Sequence, residues 1–164
     1  MKVGVVSDTH NNLKNVAEII NLFNHKKVDL VIHTGDITNA KTLSSFSSLK
    51  CDLYGVFGNN DRNESGLEEI IKTHEFKFQE PPLNITLNGR NITVFHEPDS
   101  IDEYREKNLN IDIILHGHTH RYREEIVGKV LIYNPGESAG MQKGKNAVGL
   151  STYQIFLLKE SSFN

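Results

Sequence analysis

The chain has 164 residues, a formal net charge of −3, eight histidines, one cysteine and no tryptophan. A lone cysteine excludes an internal disulfide and a thiolate metal cage, and scattered Lys and Arg leave no basic stripe of the kind a long nucleic-acid duplex requires, so a small substrate is expected. This length fits one globular domain, expected over residues 1–164, able to bury about two-thirds of its unfolded surface without staples.

Residues 2–7 read as a buried strand, Val-rich and short, turning polar at Ser7-Asp8. A run that brief suits neither a signal-peptide core nor a membrane span, which sets the expectation of a cytoplasmic protein. Residues 12–25 place Leu13, Val16, Ala17, Ile20 and Phe23 on one helix face. Strands are predicted over 28–34 and 53–57, and helices over 39–49 and 65–73. Such alternation predicts parallel pairing with right-handed crossovers.

The second half changes character. Asn88-Gly89 between residues 85–87 and 92–95 predicts a hairpin on a type I′ turn. Residues 111–115 form a further strand, 122–127 and 130–133 flank Gly128-Lys129 as a second hairpin, and 147–158 read as a closing strand. A parallel half and a hairpin-rich half together predict an α/β fold of two packed sheets with helices outside.

Five polar motifs follow strands in order: Asp8-Thr9-His10, Gly35-Asp36, Gly58-Asn59-Asn60-Asp61, His96, and Gly117-His118-Thr119-His120. Strand carboxyl ends converge on one crevice in α/β sheets, so these segments can share a site. Seven ligand-type residues, Asp8, His10, Asp36, Asn59, His96, His118 and His120, suit two metal ions sharing one carboxylate. Imidazole, carboxylate and amide without sulfur favour manganese, iron, cobalt, nickel or zinc over an all-oxygen magnesium or calcium site. Two such ions about 3.5 Å apart lower the pKa of a bridging water and clamp both oxygens of an in-line displacement, which matches a phosphoryl group.

Taken singly, these residues have blander readings. Asp8 and Asp36 suit helix caps, Asn59-Asn60-Asp61 an Asx-rich turn, and His96 a core histidine. Those readings leave the order of the five motifs unexplained. His33 and His116 fit the sheet or a role behind the ligands, and His25 and His74 fit the surface.

The ordered set resembles the calcineurin-like metallophosphoesterase family, in particular its small bacterial and archaeal phosphodiesterases, with motifs running from Asp8 to Asn134-Pro135-Gly136. The resemblance implies a two-sheet sandwich flanked by helices, and hydrolysis of a small phosphoester by a metal-bridging hydroxide. It implies one metal on Asp8, His10, Asp36 and His120, and a second on Asp36, Asn59, His96 and His118, manganese foremost. It also makes Asn60 and Asp61 the catalytic candidates, with Asn60 at the leaving-group position and Asp61 free to orient a side chain there. Many family members carry histidine where Asn60 stands. An amide is no general acid near neutral pH, so phosphodiesters are expected over alkyl monoesters. Glu97 replaces the usual glycine after the motif histidine, with its role left open. The alternative is a metal-binding interaction scaffold of the same fold without significant catalysis, although relatives of that kind lose ligands present here as Asp36, Asn59 and His120. No membrane partner is expected, and a homo-oligomer remains compatible with the sequence.

Overall fold

The computed structural model describes residues 1–141, 147–152 and 156–161. Its first half alternates as expected: β1 (Val3–Val6), α1 (Leu13–Lys26), β2 (Leu30–His33), α2 (Ala40–Ser45), β3 (Asp52–Val56), α3 (Leu67–His74) and β4 (Lys77–Gln79). The second half contains β5 (Leu83–Leu87), β6 (Arg90–Val94), α4 (Ile101–Lys107), β7 (Ile113–Leu115), β8 (Arg123–Val127), β9 (Val130–Asn134), β10 (Ala147–Thr152) and β11 (Phe156–Ser161).

Two sheets result. One has six strands in the order β11-β10-β1-β2-β3-β4, and the other five in the order β5-β6-β7-β9-β8. Strands β1 to β4 pair in parallel, as do β6 with β7 and β7 with β9. The Asn88-Gly89 turn joins β5 to β6 antiparallel, with positive φ at both turn residues, 49° and 75°.

Side-chain alternation along the strands builds the layers. Val5, Leu30 and Ile32 meet Val94, Ile113 and Leu115 in the core between the sheets. Val6 and Val31 turn the other way, onto Val16, Ile19 and Phe23 of α1. On the far side, Ile114 and Ile132 pack with Ile101 and Phe95 beneath α4. Each fully buried Val, Leu or Ile contributes on the order of 1.5–3 kcal/mol, so three contiguous clusters fix the helix–sheet–sheet–helix stack. Among the described residues, no helix is long and apolar enough to cross a membrane.

Four details differ from the sequence expectation. The helix expected over 39–49 is helical only from Ala40 to Ser45 and then tightens into a 3₁₀ turn at Phe46–Ser48. Serine is a weak helix former, and the 3₁₀ turn buries Phe46. Strand β4 and helix α4 were not expected, being three and seven residues long with too few apolar positions to show a period. The closing strand expected over 147–158 is two antiparallel strands, β10 and β11, with Thr152 opposite Phe156; residues 153–155 lie outside the described ones.

Candidate metal centre

The five motifs leave the carboxyl ends of β1, β2, β3, β6 and β7, which run parallel within each sheet. The structure therefore brings all seven candidate ligands to one rim. Asp8, Asp36 and His96 are buried and form its floor, His10 and His120 are half-buried, and Asn59 and His118 are exposed. Sharp bends aim them. Asp8, His10, Asp36, His118 and His120 have positive φ, between 44° and 67°, a left-handed conformation uncommon outside glycine and costly unless the surroundings enforce it.

Helix capping does not occupy the two aspartates. Asn12 Oδ1 accepts the Asn15 N–H at 3.1 Å to cap α1, and Asn39 Oδ1 accepts the Thr42 N–H at 2.8 Å to cap α2. Asp8 and Asp36 face the crevice instead.

Two groups of ligand atoms are close enough to hold ions. Asp8, His10 and His120 offer atoms all within 4.8 Å of one another, as do Asp8, Asp36 and His96. His120 Nε2 lies 3.4 Å from Asp8 Oδ1, and His96 Nε2 lies 3.4 Å from Asp36 Oδ1. Asp36 Oδ2 lies 3.9 Å from His10 Nε2, so the carboxylate turns one oxygen to each histidine set. Asn59 Oδ1 sits 3.0 Å from both His96 Nε2 and His118 Nδ1. Two ligands about 2.1 Å from one ion, at tetrahedral to octahedral angles, stand about 3.0–3.4 Å apart. Asp8 Oδ1 is buried with no nearer hydrogen-bonding contact than His120 Nε2 at 3.4 Å, a costly state for a carboxylate oxygen that a cation relieves. The residues present fit divalent ions.

Partners behind the ligands fix their orientation. His96 Nδ1–H donates to the Thr34 carbonyl at 2.8 Å, which leaves Nε2 for the crevice. His10 Nδ1 meets Thr38 Oγ1 at 3.1 Å. Asp8 Oδ2 accepts from Ser7 Oγ, and from the His118 N–H at 3.1 Å. Buried Asn134 donates to the Gly117 carbonyl at 2.9 Å and accepts the Gly136 N–H at 2.8 Å, which gives Asn134-Pro135-Gly136 its supporting place. Gly58 is required by closeness: a Cβ there would stand 2.2 Å from Asp36 Oδ1.

Asn60 and Asp61, the residues expected to be catalytic, both bond to Asp36. Asn60 spends its donors on Asp36, its N–H reaching Oδ1 at 3.0 Å and its Nδ2 reaching Oδ2 at 2.7 Å. Asp61 is only 3% exposed. It accepts the N–H groups of Asp36 and Gly58 on Oδ2, and those of Ile37 and Thr38 on Oδ1, at 2.7–2.9 Å. A carboxylate so engaged is not available to orient a side chain at position 60. Glu97 points at Arg62, 3.8 Å away, and Arg62 also faces Glu80 at 3.9 Å.

Electrostatics follow the same lines. Burial alone would raise Asp36, but the hydrogen bond and charge of His96, with the Asn60 donors, hold it below the usual carboxylate range. Burial works against a charged His96, and Asp36 outweighs it, so this imidazole is raised. Asp8 raises His120 chiefly by its hydrogen-bonding contact. Cations answering the same negative field would displace those protons. His33 is pushed down to about 3 by burial. It accepts the Gly35 N–H on Nδ1 at 3.1 Å and meets Thr9 Oγ1 at 3.0 Å, so it braces two motifs as a neutral ring. Sequence reasoning missed Thr34, Thr38 and the cage made by Asp61. Nothing in the pattern separates them from ordinary turn residues. His25 is exposed, and His74 stacks on Phe76 with 5.4 Å between ring centroids.

Comparison with known proteins gives one direction throughout. The sequence model of the calcineurin-like phosphoesterase superfamily domain matches residues 1–159. Phosphodiesterase MJ0936 of Methanocaldococcus jannaschii is 32% identical over 152 residues, covering 92% of each chain. The solved structure of an archaeal phosphodiesterase superposes with a TM-score of 0.90 at 27% identity, covering 99% of this chain and 100% of the other. Vps29 of Entamoeba histolytica superposes with a TM-score of 0.71 over 100% of both chains, but at 19% identity that likeness is one of fold.

Proposed function

Because this chain belongs to the calcineurin-like phosphoesterase superfamily, we propose that it is a phosphodiesterase working on a small substrate with two divalent transition-metal ions, manganese foremost. Asp8, His10, Asp36 and His120 would hold one ion, and Asp36, Asn59, His96 and His118 the other. One observation carries the reading: Asp36 offers Oδ1 to His96 Nε2 at 3.4 Å and Oδ2 to His10 Nε2 at 3.9 Å, as a carboxylate shared between two ions would. Ions bound there lower the pKa of a shared water and neutralise charge on phosphoryl oxygens.

The chain's own residues supply position. Asp61 fixes the loops carrying Asp36 and Gly58, and Asn60 fixes the Asp36 carboxylate. Both act as positioning residues rather than by touching substrate. The exposed Asn59 and His118 mark the side from which a phosphoester enters, and the scattered surface charge suits a small substrate over a duplex. With an amide at position 60, which is no general acid near neutral pH, diesters with good leaving groups suit the site best.

The test is metal analysis with turnover of bis(p-nitrophenyl) phosphate. Wild type should bind two ions per chain and hydrolyse the diester, and Asp36→Ala should lose both metal and activity while His25→Ala keeps both. A folded Asp36→Ala protein with unchanged metal content would refute the shared-carboxylate reading.

A further inference from the structure

Beside the metal centre lies an open cleft of about 580 Å³, lined by Pro98, His116, His118, Arg121, Tyr122 and Arg123. It adjoins the centre through His118, whose Nδ1 faces Asn59 Oδ1 at 3.0 Å. An ester arm leaving a phosphoryl group at the centre on that side therefore runs into this cleft.

The lining has an unusual chemistry for a surface depression. Pro98, the His118 and Tyr122 rings and the guanidinium planes are flat, and flat surfaces receive aromatic rings face-on. Tyr122 is 38% exposed, although its ring is held edge-on to Tyr133, with centroids 5.9 Å apart and planes at 90°. A braced but accessible ring is a ready stacking platform. Arg123 is paired with Glu125 at 2.7 Å, whereas Arg121 meets no carboxylate among the described residues, leaving its charge for an anionic substrate.

A second feature points to a hydrogen-bonding ring rather than a plain hydrocarbon one. His116 is 1% exposed and belongs to the lining. Its Nδ1 lies 3.0 Å from the Gly117 carbonyl, an acceptor, and 3.3 Å from Asn134 Nδ2, a donor, so Nδ1 is satisfied in either tautomer and Nε2 is the nitrogen left over. That Nε2 is buried without a hydrogen-bond partner. An unsatisfied buried polar atom is a standing cost, and a hydrogen-bonding group of a ligand removes it.

We propose that this cleft is a subsite for a flat heteroaromatic ring with hydrogen-bonding edge groups, such as a nucleobase, carried on one ester arm of the substrate. Tyr122 is the stacking face, Arg121 the counter-charge and His116 Nε2 the hydrogen-bonding partner of the ring edge. The inference rests on the phosphodiesterase reading only for where the phosphate sits.

Binding measured by calorimetry on the metal-loaded protein tests it without relying on turnover. Adenosine 5′-monophosphate should bind at least about tenfold more tightly than ribose 5-phosphate, the scale set by base–aromatic stacking. Tyr122→Leu should bring the two ligands to within about twofold while leaving ribose 5-phosphate unchanged, Tyr122→Phe should keep the preference, and Arg121→Ala should weaken both. Equal affinity for the two ligands in wild type, no measurable binding of either, or a preference that survives Tyr122→Leu would each overturn the subsite. Failure of the phosphodiesterase reading is a separate result, seen as absent hydrolysis of bis(p-nitrophenyl) phosphate by the same metal-loaded preparation.

Discussion

Asn60 holds Asp36 by both of its donors, the backbone N–H on Oδ1 at 3.0 Å and the side-chain amide on Oδ2 at 2.7 Å. Removing the amide frees one carboxylate oxygen to turn. Asn60→Ala should therefore weaken metal affinity about 10–100-fold, the usual cost of losing a partner behind a ligand, with the remaining backbone bond letting excess metal restore occupancy. Titration against a competing chelator measures it; an unchanged affinity would show that the backbone N–H suffices.

Asn60→His asks a different question of the same position. A positioned general acid contributes about 10²–10⁴-fold to expulsion of a poor leaving group. Wild type should turn over p-nitrophenyl diesters well and alkyl monoesters poorly, and the imidazole should raise kcat/KM for monoesters more than for diesters. Because Asp61 is already committed to four N–H groups, the gain should fall at the low end of that range. A ratio that does not move would mean that position 60 serves Asp36 alone.

The proposed donor set makes a prediction about the metal. Four imidazoles, two carboxylates and an amide oxygen should let a chelated enzyme regain activity with manganese, cobalt or nickel better than with magnesium or calcium. Reconstitution followed by turnover of an aryl diester checks this, and full recovery on magnesium alone would contradict it.

Cys51 offers a pH readout far from the crevice. Burial first, then the charges of Asp52 and Asp29, push its thiol from an ordinary 9.0 up to about 11. Below pH 9 the thiolate fraction should be about 100-fold lower than in the unfolded chain, so alkylation by iodoacetamide should be slowed about 100-fold. As pH rises from 9 towards 11 the unfolded chain ionises and the folded one does not, so this group's contribution to stability is lost across that window. Labelling equally fast in native and urea-unfolded protein would rule out the shift.

The aspartates show how far a sequence could be read. Asp8 and Asp36 each precede a helix, and as single residues either reads as a cap; the structure gives that duty to Asn12 and Asn39. Only the order of all five motifs separated ligand from cap. Strands β1, β2 and β3 were legible because they are Val-, Leu- and Ile-rich and buried. Helix α4 was not, since Ile101 and Tyr104 are its whole apolar face and one turn of spacing makes no period. The contacts of Asp61 were illegible for a related reason: it meets four backbone N–H groups brought together by folding, and local sequence carries no trace of them.

The bond from the His118 N–H to Asp8 Oδ2 spans 110 positions of chain. Closing a loop of that size costs entropy growing as about (3/2)RT ln n, which the sheets must supply before any ligand set exists. Ions seated there would act as a clasp across about two-thirds of the polypeptide, joining β1 of one sheet to β7 of the other. Such a clasp binds the native chain and not the unfolded one, so it adds stability as RT ln(1 + [L]/Kd). Chelation should therefore lower Tm for the molecule as a whole, and amide exchange in β1 and β7 should quicken together.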